Sequence, residues 1–133
     1  MTRFVIGPDA ALRLAELEAR IPAAHRLLAP TLIRSQLLAH LYGQVRRGDM
    51  DERAARRQLD YLRGLRLRLL GDRSLQSVAW KMADQLGWPD TFVAEYLALT
   101  RLQADAFVCM DPALSQVASA LVTVASIEDV LRG

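Results

Sequence analysis

Five short strand-like runs, separated by longer stretches of helical periodicity, constrain this chain more than any other feature. Arg3-Phe4-Val5-Ile6 comes first and is stopped by Gly7-Pro8. His25–Ala29 follows and is closed by Pro30, and Leu65–Leu69 alternates Leu with Arg at period two. Ala106–Cys109 is uniformly apolar, and Leu121–Val124 is the last run. Strands alternating with helices imply βα units around a mostly parallel sheet. The expectation is therefore an α/β fold, a three-layer α/β/α sandwich forming one domain over residues 1–133.

The helical segments have readable ends. Asp9 can cap a helix that buries Ala10, Leu14, Leu17 and Ile21 and is closed by Pro22. Ile33, Leu37, Leu41 and Val45 mark a second helix, and Asp49 with Glu52 resembles a capping box for a third that runs to Arg63. Leu75 to Leu86 forms a clean stripe ended by Gly87. Pro89 opens the next helix, in which Phe92, Tyr96 and Leu99 recur at helical spacing. A short helix follows Pro112, and Ser126 with Asp129 has box-like spacing before the terminal helix.

Composition narrows the function. No apolar run approaches a membrane span, and residues 1–20 lack a signal-peptide pattern, so the expected setting is cytoplasmic with no membrane partner. The one cysteine, Cys109, excludes an internal disulfide and a cysteine-based zinc site. It reads as a small buried residue rather than a nucleophile. His25 and His40 have no second His or Cys at ligand spacing. Sixteen of the seventeen basic residues are Arg, and nine of these lie between Arg46 and Arg73 against five acids. Arg53, Arg56, Arg57 and Arg63 are thus candidates for a phosphate-binding surface, although the same residues also read as a solvated helix face. A Gly-rich phosphate loop, a G-x-S-x-G elbow and an aromatic-rich RNA-stacking strand are all missing.

The stretch from Gly87 to Pro112 concentrates the chemistry. A helix feeds a buried strand, and Asp111-Pro112 follows at once, which puts a carboxylate just past the strand's carboxyl end. In open α/β sheets that edge is where ligands bind.

Four segments stand out by their order and separation: FVIGPDAALRL (Phe4–Leu14), APTLIRSQLLAHL (Ala29–Leu41), TFVAEYLALT (Thr91–Thr100) and ADAFVCMDPAL (Ala104–Leu114). Together they resemble the PIN domain, the fold of VapC-type toxin ribonucleases. The resemblance covers nearly the whole chain. It implies acidic residues gathered at the carboxyl edge of the sheet around Mg²⁺ or Mn²⁺, because hard cations take carboxylate oxygens.

Carried over position by position, the first acid of the family falls at Gly7, the second at Gln36 and the third at Val93; only Asp111 keeps its carboxylate. Asp9, two residues past Gly7, could turn inward, and Asp90, three before Val93, could reach the same side of its helix. Both also read as helix caps, and Asp111 as the start of a turn. Glu95 lies roughly 200° around the helix from Val93 and is expected to point elsewhere.

Three functions follow. One is a PIN-like protein with a degenerate metal site, a binding or structural role, and no expected cofactor. Another is an active Mg- or Mn-dependent endoribonuclease of a toxin–antitoxin system, with Asp111, Asp9 and Asp90 as a shifted catalytic set and Asp111 and Asp9 as weak metal ligands. The last is an α/β protein-interaction module. The resemblance implies an antitoxin-like partner, an RNA target and a homodimer.

Overall fold

The structure is a computed structural model describing residues 1–133. Its elements are β1 (Thr2–Ile6), α1 (Pro8–Leu17), β2 (His25–Pro30), α2 (Leu32–Arg46), α3 (Glu52–Gly64) and β3 (Leu67–Leu70) in the first half. The second half adds α4 (Arg73–Leu86), α5 (Phe92–Gln103), β4 (Ala106–Val108), α6 (Pro112–Ser119), β5 (Val124–Ala125) and α7 (Ile127–Leu131). The five strands form one sheet in the order β3-β2-β1-β4-β5, and every neighbouring pair is parallel.

That order explains the layers. The chain steps from β1 to β2 to β3 in one direction, then crosses back over β1 to reach β4. Parallel crossovers are right-handed, so reversing the direction of travel moves the connecting helices to the opposite face. Accordingly α1, α2 and α3 pack on one another, while α4 packs on α5, which lies against β1, β2 and β4. Phe4-Val5-Ile6 and Ala106-Phe107-Val108 are buried on both faces, which is why these strands read as unbroken apolar runs. β3 lies at the sheet edge, where its Leu and Arg residues alternate in exposure.

Several boundaries differ from the sequence reading. α1 stops at Leu17 rather than Ile21, because Glu18 adopts a left-handed conformation (φ 47°) and the Ala19 N–H closes back on the Leu14 carbonyl at 3.0 Å. Pro30 does not end β2 before the sheet but forms its last rung beside Leu70, which draws β3 forward to Leu67–Leu70. α3 is capped by Asp51, whose carboxylate accepts the Ala54 N–H at 2.7 Å; Asp49 instead pairs with Arg47. α5 begins at Phe92, not in a turn opened by Pro89. β5 shrinks to Val124–Ala125, since Leu121 and Val122 both donate to the Ala118 carbonyl and prolong the α6 turn. The Ser126–Asp129 capping box and the left-handed Gly87 stop (φ 66°) stand as expected.

Candidate functional site at the carboxyl edge of the sheet

β1 and β4 lie side by side, yet the chain leaves them in opposite directions, through α1 towards β2 and through α6 towards β5. Such a reversal opens a crevice outside the strand ends. Here the crevice is stitched. The Gly7 N–H donates to the Val108 carbonyl at 2.8 Å, extending the ladder by one rung. Pro8, in the first turn of α1, has no N–H to satisfy, and the N-cap position is held by Gly7 without a side-chain bond.

Asp9 therefore does not cap α1 in the expected way. Its Oδ1 accepts the neighbouring Ala10 N–H at 2.7 Å. Its Oδ2 accepts two backbone donors from the loop after β4, Met110 N–H at 2.8 Å and Asp111 N–H at 3.2 Å. One carboxylate thus ties together the loops that diverge at the crevice. Hydrogen bonds to a charged acceptor contribute about 1.5–3 kcal/mol each, and the start of α1 adds a favourable dipole. Gly7 is pressed into this arrangement. A Cβ there would stand 3.2 Å from Asp9 Oδ1, 3.4 Å from the Val108 carbonyl oxygen and 3.6 Å from the Phe107 ring.

The other predicted positions are held as follows. Asp111 is exposed and N-caps α6, accepting the Ala113 N–H at 3.1 Å. Gln36, one turn into α2, accepts the Tyr96 hydroxyl proton at 2.6 Å. Val93 is half-buried in the first turn of α5 and packs against the core. Asp90 is held locally, its Oδ1 accepting the Phe92 N–H at 3.1 Å. No three His, Cys, Asp or Glu side chains gather closely enough to hold a metal ion, so Asp9, Asp90 and Asp111 do not form a trio.

Two residues are more deeply involved than the sequence suggested. Tyr96 is buried, tilts against Phe107 with ring centroids 6.1 Å apart, and links α5 to α2 through Gln36. Burial drives its hydroxyl far above the ordinary tyrosine range, and the charges of Glu95 and then Asp9 push it further. Glu95 is half-buried, its carboxyl is raised by that burial, and its charge pushes up the neighbouring Tyr96 hydroxyl. Cys109 is buried as expected, with its sulfur 3.1 Å from the Ser115 hydroxyl. Burial raises its thiol, the Ser115 bond draws it partly back, and Asp9 and Asp111 push it up again. Such a thiol is a poor nucleophile.

The α3 arginines stand apart from this edge chemistry. Arg53, Arg56, Arg57 and Arg63 are all exposed; Arg56 lies 3.6 Å from Glu52 and Arg63 3.0 Å from Asp60.

Comparison with solved structures places the architecture. PAE2754 from Pyrobaculum aerophilum superimposes with a TM-score of 0.76 at 21% identity, covering 98% of this chain and 93% of that one. VapBC2 from Rickettsia felis, solved bound to a DNA fragment from their promoter, superimposes with a TM-score of 0.58 at 10% identity, covering 93% and 98%. The fold is PIN-like. No protein-family model and no curated protein sequence matches the chain. Gly7 follows β1, Gln36 lies one turn into α2, Val93 is in the first turn of α5 and Asp111 precedes α6.

Proposed function

We propose that this chain is a PIN-like, VapC-like protein whose acidic metal site is degenerate, with a binding or structural role and little or no nuclease activity. The observation that carries the proposal is Asp9. Its carboxylate accepts three backbone N–H groups, so its lone pairs are engaged in holding two loops together. Mg²⁺ demands about six oxygen ligands in near-ideal octahedral geometry. Asp111 spends one oxygen on its own helix, Gln36 is neutral and engaged by Tyr96, and Val93 and Gly7 offer no donor. The residues present do not fit such an ion.

One observation favours a second reading, an active Mg- or Mn-dependent endoribonuclease using shifted acids. The Asp111 N–H lies on Asp9 Oδ2, which puts two acidic residues side by side at the strand ends. In that reading Asp9 and Asp111 would hold the ion, with Asp90 as the third acid. The solved VapBC2 assembly supports including an antitoxin-like protein partner in the proposal. A cytoplasmic setting and a homodimeric form complete the proposal. No helix is long and apolar enough to cross a membrane.

Incubation with single-stranded RNA and millimolar Mn²⁺ separates the readings. The degenerate-site reading expects no cleavage above the metal-only control. Mn²⁺-dependent cleavage by the wild type that disappears in Asp111→Asn would replace it with the shifted-acid nuclease.

A further inference from the structure

At the opposite, amino-terminal edge of the sheet a groove of about 380 Å³ is lined by Arg3, Arg26, Arg66 and Arg68, with Met1 and Leu28 among its apolar walls. The strand register explains the gathering. Arg3 of β1 is paired directly with Arg26 of β2, and Leu27 with Leu67, so Arg66 stands one rung back beside Arg26. Neighbours in a parallel ladder share a face at spacings of about 4.8 Å, and Arg68, two residues on from Arg66, returns to the same face. Three strands thus place four guanidinium groups on one side of the sheet.

None of the four has a carboxylate partner: the ion pairs of the molecule use Arg13, Arg47, Arg56, Arg63 and Arg132. Arg26 makes only long contacts to the Ala23 and His25 carbonyls, at 3.4 and 3.5 Å. The Asp105 carboxylate lies close by but accepts the Arg3 backbone N–H at 2.8 Å. Charged residues on an exposed edge strand commonly guard against edge-to-edge pairing, which accounts for Arg68 on β3 and Arg66 just before it. It does not account for Arg3 and Arg26, which lie on the inner strands β1 and β2.

We infer that this groove binds adjacent phosphate groups, either those of a nucleoside polyphosphate or those of a single nucleic-acid strand. Arg forks match phosphate oxygens bidentately. The volume suits a nucleotide-sized ligand, since small-molecule sites begin at about 300 Å³. The row from Arg3 to Arg66 spans only about 10 Å, taking the ladder spacing twice. An extended acidic peptide presents same-side carboxylates about 6.7 Å apart and can meet two members of such a row. Phosphates joined through a bridging oxygen stand closer together than that and present several charged oxygens each, so they can meet all three. The inference is independent of the reading of the carboxyl edge, because it uses no residue of that edge.

The test is fluorescence anisotropy with a labelled octauridylate, competed with ATP, pyrophosphate or a hexaglutamate peptide. The variant Arg26→Gln/Arg66→Gln/Arg68→Gln is compared with Arg13→Gln/Arg20→Gln/Arg73→Gln, which removes the same charge elsewhere. The groove variant should weaken octauridylate binding at least tenfold, and the comparison variant less than twofold. Its slope of log affinity against log salt should fall by about 2, as three lost contacts at about 0.7 each require. Arg68→Gln alone, an exposed change with little bearing on folding, should give a smaller loss in the same direction. Competition by ATP assigns the groove to nucleotides, and binding of octauridylate without ATP competition assigns it to a strand. Equal losses in the two triple variants, absence of binding to both octauridylate and ATP, or displacement by hexaglutamate at lower concentration than pyrophosphate would each overturn the inference.

Discussion

β1 begins beside Arg3 in the arginine-lined groove at one edge of the sheet and ends at Gly7 and Asp9 at the other. At the amino edge four like charges lie together without carboxylate partners. At the carboxyl edge the charges are engaged: Asp9 holds three backbone donors, and Asp111 caps α6. A fold of this kind places its ligand crevice at the carboxyl edge, yet here the Asp9 carboxylate at that edge already holds backbone donors while the unpaired charge lies at the other end. The difference teaches that a charged residue's position in a fold says less about its work than whether its hydrogen-bonding capacity is already filled.

The largest expected effect comes from crowding the tied edge. Gly7→Asp places a Cβ 3.2 Å from Asp9 Oδ1 and a second carboxylate beside the first. Urea unfolding should show a loss of about 2–3 kcal/mol, the scale of overpacking a filled site. Adding Gln36→Glu and Val93→Asp should instead make stability depend on Mn²⁺, because the ion then neutralises acids that otherwise repel. If Gly7→Asp alone were tolerated without loss, the Asp9 link would be free to give way and the contrast between the edges would weaken.

A smaller effect is expected where α5 meets α2. Tyr96→Phe removes the 2.6 Å bond to Gln36 while keeping the ring against Phe107. The cost should be about 1 kcal/mol, with Gln36→Leu costing somewhat more because the buried hydroxyl is then left unpaired. Equal stability of Tyr96→Phe and wild type would show that this bond does not brace the edge.

The smallest effect is a pH dependence. Burial raises the folded-state carboxyl of Glu95 above its unfolded value, so the native state binds more protons across the interval between the two. Stability from this group therefore falls as pH rises through that interval, just above the ordinary carboxylate range. Glu95→Gln should flatten this part of the pH–melting profile and raise the melting midpoint slightly at neutral pH. A profile unchanged by the substitution would mean that Glu95 is solvated in both states.

Much of the fold was legible because helical and strand periodicities are local. All five strands and the intervening helices can be found from residues no further apart than a turn or two. Strand ends were less legible, because hydrogen bonding sets them: β5 pairs only at Val124 and Ala125, since Leu121 and Val122 are taken up by the Ala118 carbonyl. The site was legible only as positions. The resemblance proposes Gly7, Gln36, Val93 and Asp111 as positions, but Asp9 finds its partners 101 and 102 residues away, and nothing local announces them. The arginine groove was hidden for the same reason: Arg3, Arg26 and Arg66 come from separate segments that only the register aligns.

The central claim is that the Asp9 carboxylate ties the carboxyl edge shut rather than waiting there for an ion, and the sign of one stability change tests it. Urea unfolding of the wild type and Asp9→Asn would be measured with and without millimolar Mn²⁺. A structural carboxylate that accepts three backbone donors should cost about 2–3 kcal/mol when neutralised, given typical charge-assisted bonds, with the same loss in both conditions. An unfilled metal ligand held beside Asp111 would behave oppositely. Asp9→Asn would then be more stable than the wild type without the ion, and the wild type alone would gain stability from Mn²⁺, contradicting the account.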